Sequence, residues 1–336
     1  MGARSSVQRV SPSTSADHQN RTELCILILG TIAAGKTTLF RQFLHFGKCK
    51  PLERKHYRHI ILYNLWEIWN DIYVSCKKLR LNISDEKELF DVVTDSWFRQ
   101  NLATETVQAM LDLYKCAPVR ECLENQQYSS CFTNKMHFLN SLERITADSY
   151  IPTEEDILYS YSQTIGIDRI SYRTPVADLS VIDIGGNKYS RRKWPDYFSI
   201  TSLLIFIVDI TKFCRIKSDD CFKEREDGEE AVTAFAELCS NITLKKSHFM
   251  IIFNKKDVFE KLQPSPSAAP PGGTEQSPTS DANTSLAVIR AKFLNQVTSR
   301  KIYQHTLTLL NESTVNATVM ESVNNVARKI RAPSPV

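Results

Sequence analysis

No apolar run in the 336 residues approaches the ~20 needed to cross a bilayer as a helix. The longest candidate, LLIFIV at Leu203 to Val208, stops at Asp209 and reads as a buried strand. A strong charge of one sign is lacking too. The net charge is +4, and basic and aromatic residues are not interleaved on one face, which argues against nucleic acid as a partner. The nine cysteines (Cys25, Cys49, Cys76, Cys116, Cys122, Cys131, Cys214, Cys221 and Cys239) are odd in number and lack paired metal-ligand spacing. They read as reduced thiols, several of them core residues. No secretory signal is evident, so the Asn-x-Ser/Thr triplets at Asn82, Asn241, Asn311 and Asn316 are expected to stay unglycosylated.

The length exceeds that of one usual compact domain, and 42% hydrophobic residues fit a globular protein of two domains. Residues 1–21 are polar and Ser-rich and read as a flexible tail. Their opening, MGARSS, matches the pattern for myristoylation on Gly2, a pattern that also arises by chance. One acyl chain binds membranes only marginally, and Ala3 leaves no adjacent palmitoylated cysteine.

ELCILIL, Glu23 to Leu29, is a continuous apolar run of the kind that makes a buried parallel strand. It feeds GTIAAGKTT and then a helical TTLFRQFLHF. From about Pro51 to Tyr150 helical periodicity dominates, with Ile60, Ile61, Leu65, Ile68, Ile72 and Tyr73 along one face. Strands then return in ISYRT, ADLSVIDIGG, SLLIFIVDI and HFMIIFNKKD, alternating with helices. That order predicts a mostly parallel sheet covered on both faces, an α/β architecture. Residues 263–285 are rich in Pro, Ser and Gly and read as a mobile loop. A closing helix carries Val315, Val319, Val323, Val326 and Ile330 on one face, with Pro333 and Pro335 to end it.

Three motifs carry chemistry. GTIAAGKT fits G-x-x-x-x-G-K-[ST], a loop whose backbone N–H groups cradle phosphates, and its strand–loop–helix setting is the required one. Lys36 would reach the terminal phosphates and Thr37 would offer its hydroxyl to Mg²⁺. DIGG, Asp183 to Gly186, puts a carboxylate and a close-approach glycine at a strand end. In FNKKD, Asp257 is placed to accept from the N1–H and 2-amino groups of guanine, Asn254 to steady the base, and Lys255 to pack on the ring. Alone, each of the last two is also a common charged or glycine turn; in this order they support one another.

With GTIAAGKTT, LERITADSYIPTEEDIL, QTIGI, DIGGNKYSRRKW and IIFNKKDVFEKL, nearly the whole chain resembles an alpha subunit of heterotrimeric G proteins. The resemblance implies a Ras-like P-loop GTPase domain, residues 22–50 and 154–336, with an inserted all-helical domain at 51–153. It implies GTP or GDP and Mg²⁺ as ligands, and a G-protein beta-gamma dimer, a membrane receptor and an effector as partners. It also implies a location on the cytoplasmic face of the plasma membrane and partly in the cytoplasm. Gly30, Ile32, Ala33, Ala34, Gly35, Lys36, Thr37 and Thr38 then line the phosphates, with Gly186 sensing the γ-phosphate. Thr37, Thr164 and, through water, Asp183 match the Mg²⁺ ligands, while Asn254, Lys255, Asp257 and Leu309 match the base site. Leu309 stands where the family has alanine, and is expected to add volume beside the base.

The family's hydrolytic groups are altered. Tyr161 stands in place of the first-switch arginine, Asn187 in place of the water-orienting glutamine, and Ile32 in place of a glycine near the γ-phosphate. Ala33 replaces a glutamate that in much of the family pairs with that arginine, so both halves of one interaction are gone. Slow hydrolysis is expected, unless Gln163, Arg169 or Lys188 substitutes. A non-catalytic nucleotide-binding scaffold or a locked GTP-bound switch is the alternative; an ATPase or kinase is disfavoured by NKKD. The family's long N-terminal helix and its common C-terminal tails are absent, which weakens the beta-gamma and receptor expectations.

Overall fold

The computed structural model describes residues 8–9, 21–48, 54–95, 102–125, 135–214, 221–262, 282–295, 297 and 300–331. Gly2, Pro333, Pro335 and most of the expected 263–285 loop lie outside the described residues. The chain divides into two compact units, Met1–Lys50 with Gln163–Val336, and Pro51–Ser162.

The first unit is built on a seven-stranded sheet: β1 (Gln8–Arg9), β2 (Glu23–Gly30), β3 (Ile167–Arg173), β4 (Asp178–Ile184), β5 (Leu203–Asp209), β6 (His248–Asn254) and β7 (Ile302–Thr306). Their spatial order is β1-β3-β4-β2-β5-β6-β7, and every neighbouring pair is parallel except antiparallel β3 and β4. Strands buried on both faces need apolar residues at every position, and each residue of β5 is buried. One face carries Leu39, Phe40 and Phe43 of the Lys36–Phe46 helix and Val315, Val319, Val323 and Val326 from the C-terminal end. The other carries Phe235 and Phe293, from the Cys221–Ser240 and Ala282–Leu294 helices, with Trp194 and Phe198.

Several expectations change. Gln8–Arg9, within the expected tail, pairs with Ile170 and Ser171 on the edge of β3. Residues 282–285, within the expected loop, open the Ala282–Leu294 helix. The strand Ile302–Thr306 was not anticipated, because IYQHT is short and only partly buried. The closing helix widens into a π turn at Asn316–Met320, and Ile330 is exposed rather than on the buried face.

The second unit is all helical. Its axis is Arg54–Lys78, whose Ile61, Leu65, Ile68, Trp69 and Ile72 are buried, while Ile60 and Tyr73 are partly so. Helices Lys87–Thr94, Thr104–Lys115, Ala117–Glu124 and the short turns that follow pack Phe90, Met110, Leu113, Val119 and Leu142 around it. Residues 154–162 belong here and not to the sheet unit as expected. The reason is Asp156, fully buried, which accepts from the two terminal guanidinium nitrogens of Arg144 (2.7 and 2.8 Å), from Tyr150 Oη (3.0 Å) and from the Thr153 amide (2.9 Å), and lies 2.8 Å from His137 Nε2. Burial alone would raise its pKa, yet these bonds hold it well below the usual carboxylate range.

Removing one partner of such a set strands buried polar groups. Asp156→Ala is expected to cost about 3 kcal/mol in denaturant unfolding, toward the low end because Arg144 is part exposed. A depressed carboxylate stabilises above its unfolded pKa, so the difference between variant and wild type should shrink as pH falls below 4.

Candidate functional site

The site lies at the carboxyl ends of β2, β4, β5 and β6, where parallel sheets bind ligands. Gly30 ends β2 at φ 150°, and a Cβ there would meet the Ile207 carbonyl oxygen at 2.4 Å, so only glycine lets the loop leave past β5. Lys36 begins the next helix, is almost fully buried, and donates from Nζ to the Thr31 carbonyl at 2.6 Å. Burial pushes its pKa down to about 8, against the pull of Asp183. Ile32 and Ala33 sit exposed on the loop, Ala33 at φ 57°. Thr38, half-buried, lies in the first helical turn.

Thr37 Oγ1 donates to Asp183 Oδ2 at 2.8 Å and is 2.8 Å from Thr164 Oγ1, so residues far apart in sequence meet. Asp183 is fully buried, and its Oδ1 has no hydrogen-bond partner. Burial raises its pKa to about 6, although Lys36 and Thr37 act to lower it. A hard divalent cation with oxygen ligands fits this set, since it would supply the charge that the orphaned oxygen lacks.

Because burial raises the folded carboxyl to about 6, above its unfolded value, its ionisation opposes folding as pH rises from about 4 to about 6. Asp183→Asn is therefore expected to stabilise the protein by roughly 1–3 kcal/mol at pH 7 in Mg²⁺-free, nucleotide-free buffer, and by less at pH 4. Thermal melts at the two pH values check this; equal or lower stability at pH 7 would contradict it.

After β4, a Cβ on Gly186 would meet Lys36 Nζ at 2.4 Å and the Gly30 carbonyl oxygen at 2.5 Å. The backbone there thus runs against the loop that carries the lysine. Asn187 follows, and its Oδ1 accepts the Ser190 amide at 2.7 Å, capping the Lys188–Arg191 turn. Arg191 donates from Nε to the Gly186 carbonyl (3.0 Å), pairs with Glu230 (3.2 Å) and lies 5.5 Å over the Trp194 ring. Trp194, buried, donates to the Gly185 carbonyl at 3.3 Å.

At the other end, Asn254 Nδ2 donates to the Ala34 carbonyl (2.8 Å) and its Oδ1 accepts the Leu309 amide (3.0 Å). Gly35, at φ 110°, has no room for a side chain, since its Cβ would meet Asn254 Nδ2 at 2.3 Å. Gln42 donates to the Leu309 carbonyl at 2.9 Å. The Leu309 side chain is buried in the core with Ala34 and Leu39, so its volume is absorbed by packing. Thr308 Oγ1 accepts the Asp257 amide (3.2 Å) and donates to Asp257 Oδ1 (2.8 Å). Lys255 has φ 65° and an ion pair from Nζ to Asp209 Oδ2 at 2.5 Å.

The sheet unit thus gathers Gly30, Ala34, Gly35, Lys36, Thr37, Thr164, Asp183, Gly186, Asn254, Lys255, Asp257 and Leu309. Tyr161 belongs to the helical unit, where the Asn64 amide holds its backbone N–H and C=O at 2.8 Å each. Its side chain is about half exposed; partial desolvation and Glu67 raise its phenol pKa, so it is neutral at pH 7. Sequence reasoning placed Thr308 in the turn beside the base without its bond to Asp257, and it missed the roles of Gln42 and Asp209. Only Asp209 left a trace, as the charge that stops an apolar strand.

A glycine loop between a buried strand and a helix, with lysine, hydroxyls and a buried aspartate behind it, defines a P-loop nucleotide-binding fold. Residues 4–327 match the G-protein alpha subunit family, and the chain belongs to that family. The fold is a Ras-like GTPase domain with an all-helical insert. Two fungal proteins, each called "Guanine nucleotide-binding protein subunit alpha", from Emericella nidulans and Cochliobolus heterostrophus, are 28% identical over 316 residues, 91% of this chain and 88% of theirs. The human "Guanine nucleotide-binding protein subunit alpha-15" is 26% identical over 280 residues, 81% of this chain and 74% of its own. Among the described residues no helix is long and apolar enough to cross a membrane.

Proposed function

We propose that the protein is a guanine-nucleotide-dependent signal transducer that binds GDP or GTP with Mg²⁺ and hydrolyses GTP slowly. In this reading Gly30 to Thr38 and Gly186 hold the phosphates, while Thr37, Thr164 and Asp183 hold the metal. Asn254, Lys255, Asp257 and the Leu309 backbone hold the base. Mg²⁺ supplies neutralisation of phosphate charge when bound. Lys36, charged below about pH 8, adds to it.

The observation that carries slow hydrolysis is the cap on Ser190. The Asn187 oxygen that would orient an attacking water already accepts a backbone N–H at 2.7 Å. Leaving that cap costs about 1 kcal/mol, and the side chain is one methylene shorter than glutamine. Tyr161 brings no positive charge to a phosphoryl group. The test is single-turnover phosphate release from protein preloaded with γ-labelled GTP and Mg²⁺. Release at rates ordinary for the family would sink the reading; intact bound GTP supports it.

Receptor, beta-gamma and effector contacts follow from family membership as part of the proposal, as do acylation on Gly2 and a site on the cytoplasmic face of the plasma membrane. The switch reading, as against a scaffold, expects Trp194 fluorescence to differ between GDP and GTP, because its indole is tied to Gly185 beside the γ-phosphate-sensing Gly186. Identical spectra would favour the scaffold.

A further inference from the structure

Lys255 is the one base-site residue with a long, flexible side chain, and something has to hold it. Asp209 ends β5 directly beside Asn254 in the parallel register of β5 and β6. Its carboxylate is buried, and its two oxygens have separate duties. Oδ1 accepts the Thr211 amide (3.0 Å) and the Thr211 hydroxyl (2.6 Å), capping the turn Ile210–Phe213. Oδ2 accepts Lys255 Nζ at 2.5 Å. The first duty fixes the carboxylate in place, so the second fixes the lysine. Lys255 in turn has a left-handed backbone, a conformation that β-carbon-bearing residues resist and that its neighbours must maintain.

We infer that Asp209 is a positioning residue of the guanine subsite: by anchoring the Lys255 ammonium it lays the four methylenes out as a fixed apolar surface for the purine ring. An ammonium left in water would let that stem swing among rotamers, and each bound nucleotide would have to order it again. A compact ammonium on a flexible stem gains most from such a tether. The tether lies at the base end of the site; Lys36, Thr37, Thr164 and Asp183, which face the phosphates and metal, take no part in it. Its signature is therefore in base retention and not in Mg²⁺ dependence.

The inference rests on the guanine reading, and one set of stopped-flow measurements separates the two. Dissociation of a fluorescent N-methylanthraniloyl-GDP is followed for wild type, Asp209→Asn, Lys255→Ala and the double variant, with and without EDTA. Asp209→Asn keeps an amide oxygen for Thr211 and loses the charge that holds Lys255. Release is expected to be about tenfold faster in Asp209→Asn. In the double variant it should be no faster than in Lys255→Ala alone, because the two substitutions remove one interaction. The acceleration by EDTA should be the same in all four proteins, and the thermal midpoint of Asp209→Asn without nucleotide should stay within a few degrees of wild type. Additive effects, or release from Asp209→Asn at the wild-type rate, would overturn the positioning role and leave guanine binding intact. Failure of wild type to bind the probe would overturn both.

Discussion

Replacing Tyr161 with arginine and Asn187 with glutamine together is expected to raise single-turnover GTP hydrolysis by roughly 10³-fold or more. Where an arginine finger is native, its positive charge on the developing phosphoryl oxygens is worth on the order of 10³–10⁵ in rate, and the variant tests whether position 161 can supply it. Glutamine adds the missing methylene, and as a poor N-cap it releases the amide from Ser190; correct placement of the nucleophile is worth ~10². Each single change should do much less. Arginine alone leaves the water unoriented, and glutamine alone weakens the turn at Lys188–Arg191 without adding charge. Ile32→Gly is added as a third change, restoring the glycine that the proposed reading expects near the γ-phosphate. If the triple variant binds GTP with Mg²⁺ and still releases phosphate at the wild-type rate, the explanation through these three residues fails.

Asp257→Asn is expected to lower guanine-nucleotide affinity by roughly 10³-fold and to shift preference toward xanthine nucleotides. The Thr308 hydroxyl fixes the geometry of this exchange. It accepts from the Asp257 amide and so donates to Oδ1. An asparagine will keep its oxygen at that position to retain the bond, which leaves the amide nitrogen where Oδ2 was. A donor there repels the guanine 2-amino group and suits the 2-carbonyl of xanthine. Competition of GDP and XDP for wild type and variant measures the exchange. Equal loss of both, or no loss of GDP, would mean that Asp257 does not read the base.

The phosphate loop was legible because its chemistry is local. Gly30, Gly35, Lys36 and Thr37 follow one another within one strand–loop–helix, and both glycines take a positive φ. The same holds for the buried strands, whose unbroken apolar runs announce burial on both faces. Elements that depend on neighbours were harder to see. Ile302–Thr306 is a strand because β6 offers it an edge, and Gln8–Arg9 because β3 does. Nothing in the spacing of Glu154 to Tyr159 says which unit it joins; Arg144, His137 and Tyr150 converge on Asp156 and decide it.

Leu309 shows the same division within the site. Its identity suggested bulk against the base, but the direction of a side chain on a turn is set by the surrounding core, which takes it in beside Ala34 and Leu39. Asn187 was readable as a shortened glutamine, though not as a cap, because capping depends on where the Ser190 amide points. Residue type and order determined the family, the order of most strands along the chain and the candidate groups for phosphate, metal and base. Only the tertiary structure decided which carboxylate holds the base-site lysine, which amide oxygen is already occupied and which side chains the core absorbs. Asp209 and Lys255, and Ala34 and Leu309, are brought together from segments tens to hundreds of residues apart, while the Asn187 cap is local and depends on the turn that follows it. A hydrogen bond is directional: it exists only once both partners have been carried to the same place and turned to face each other.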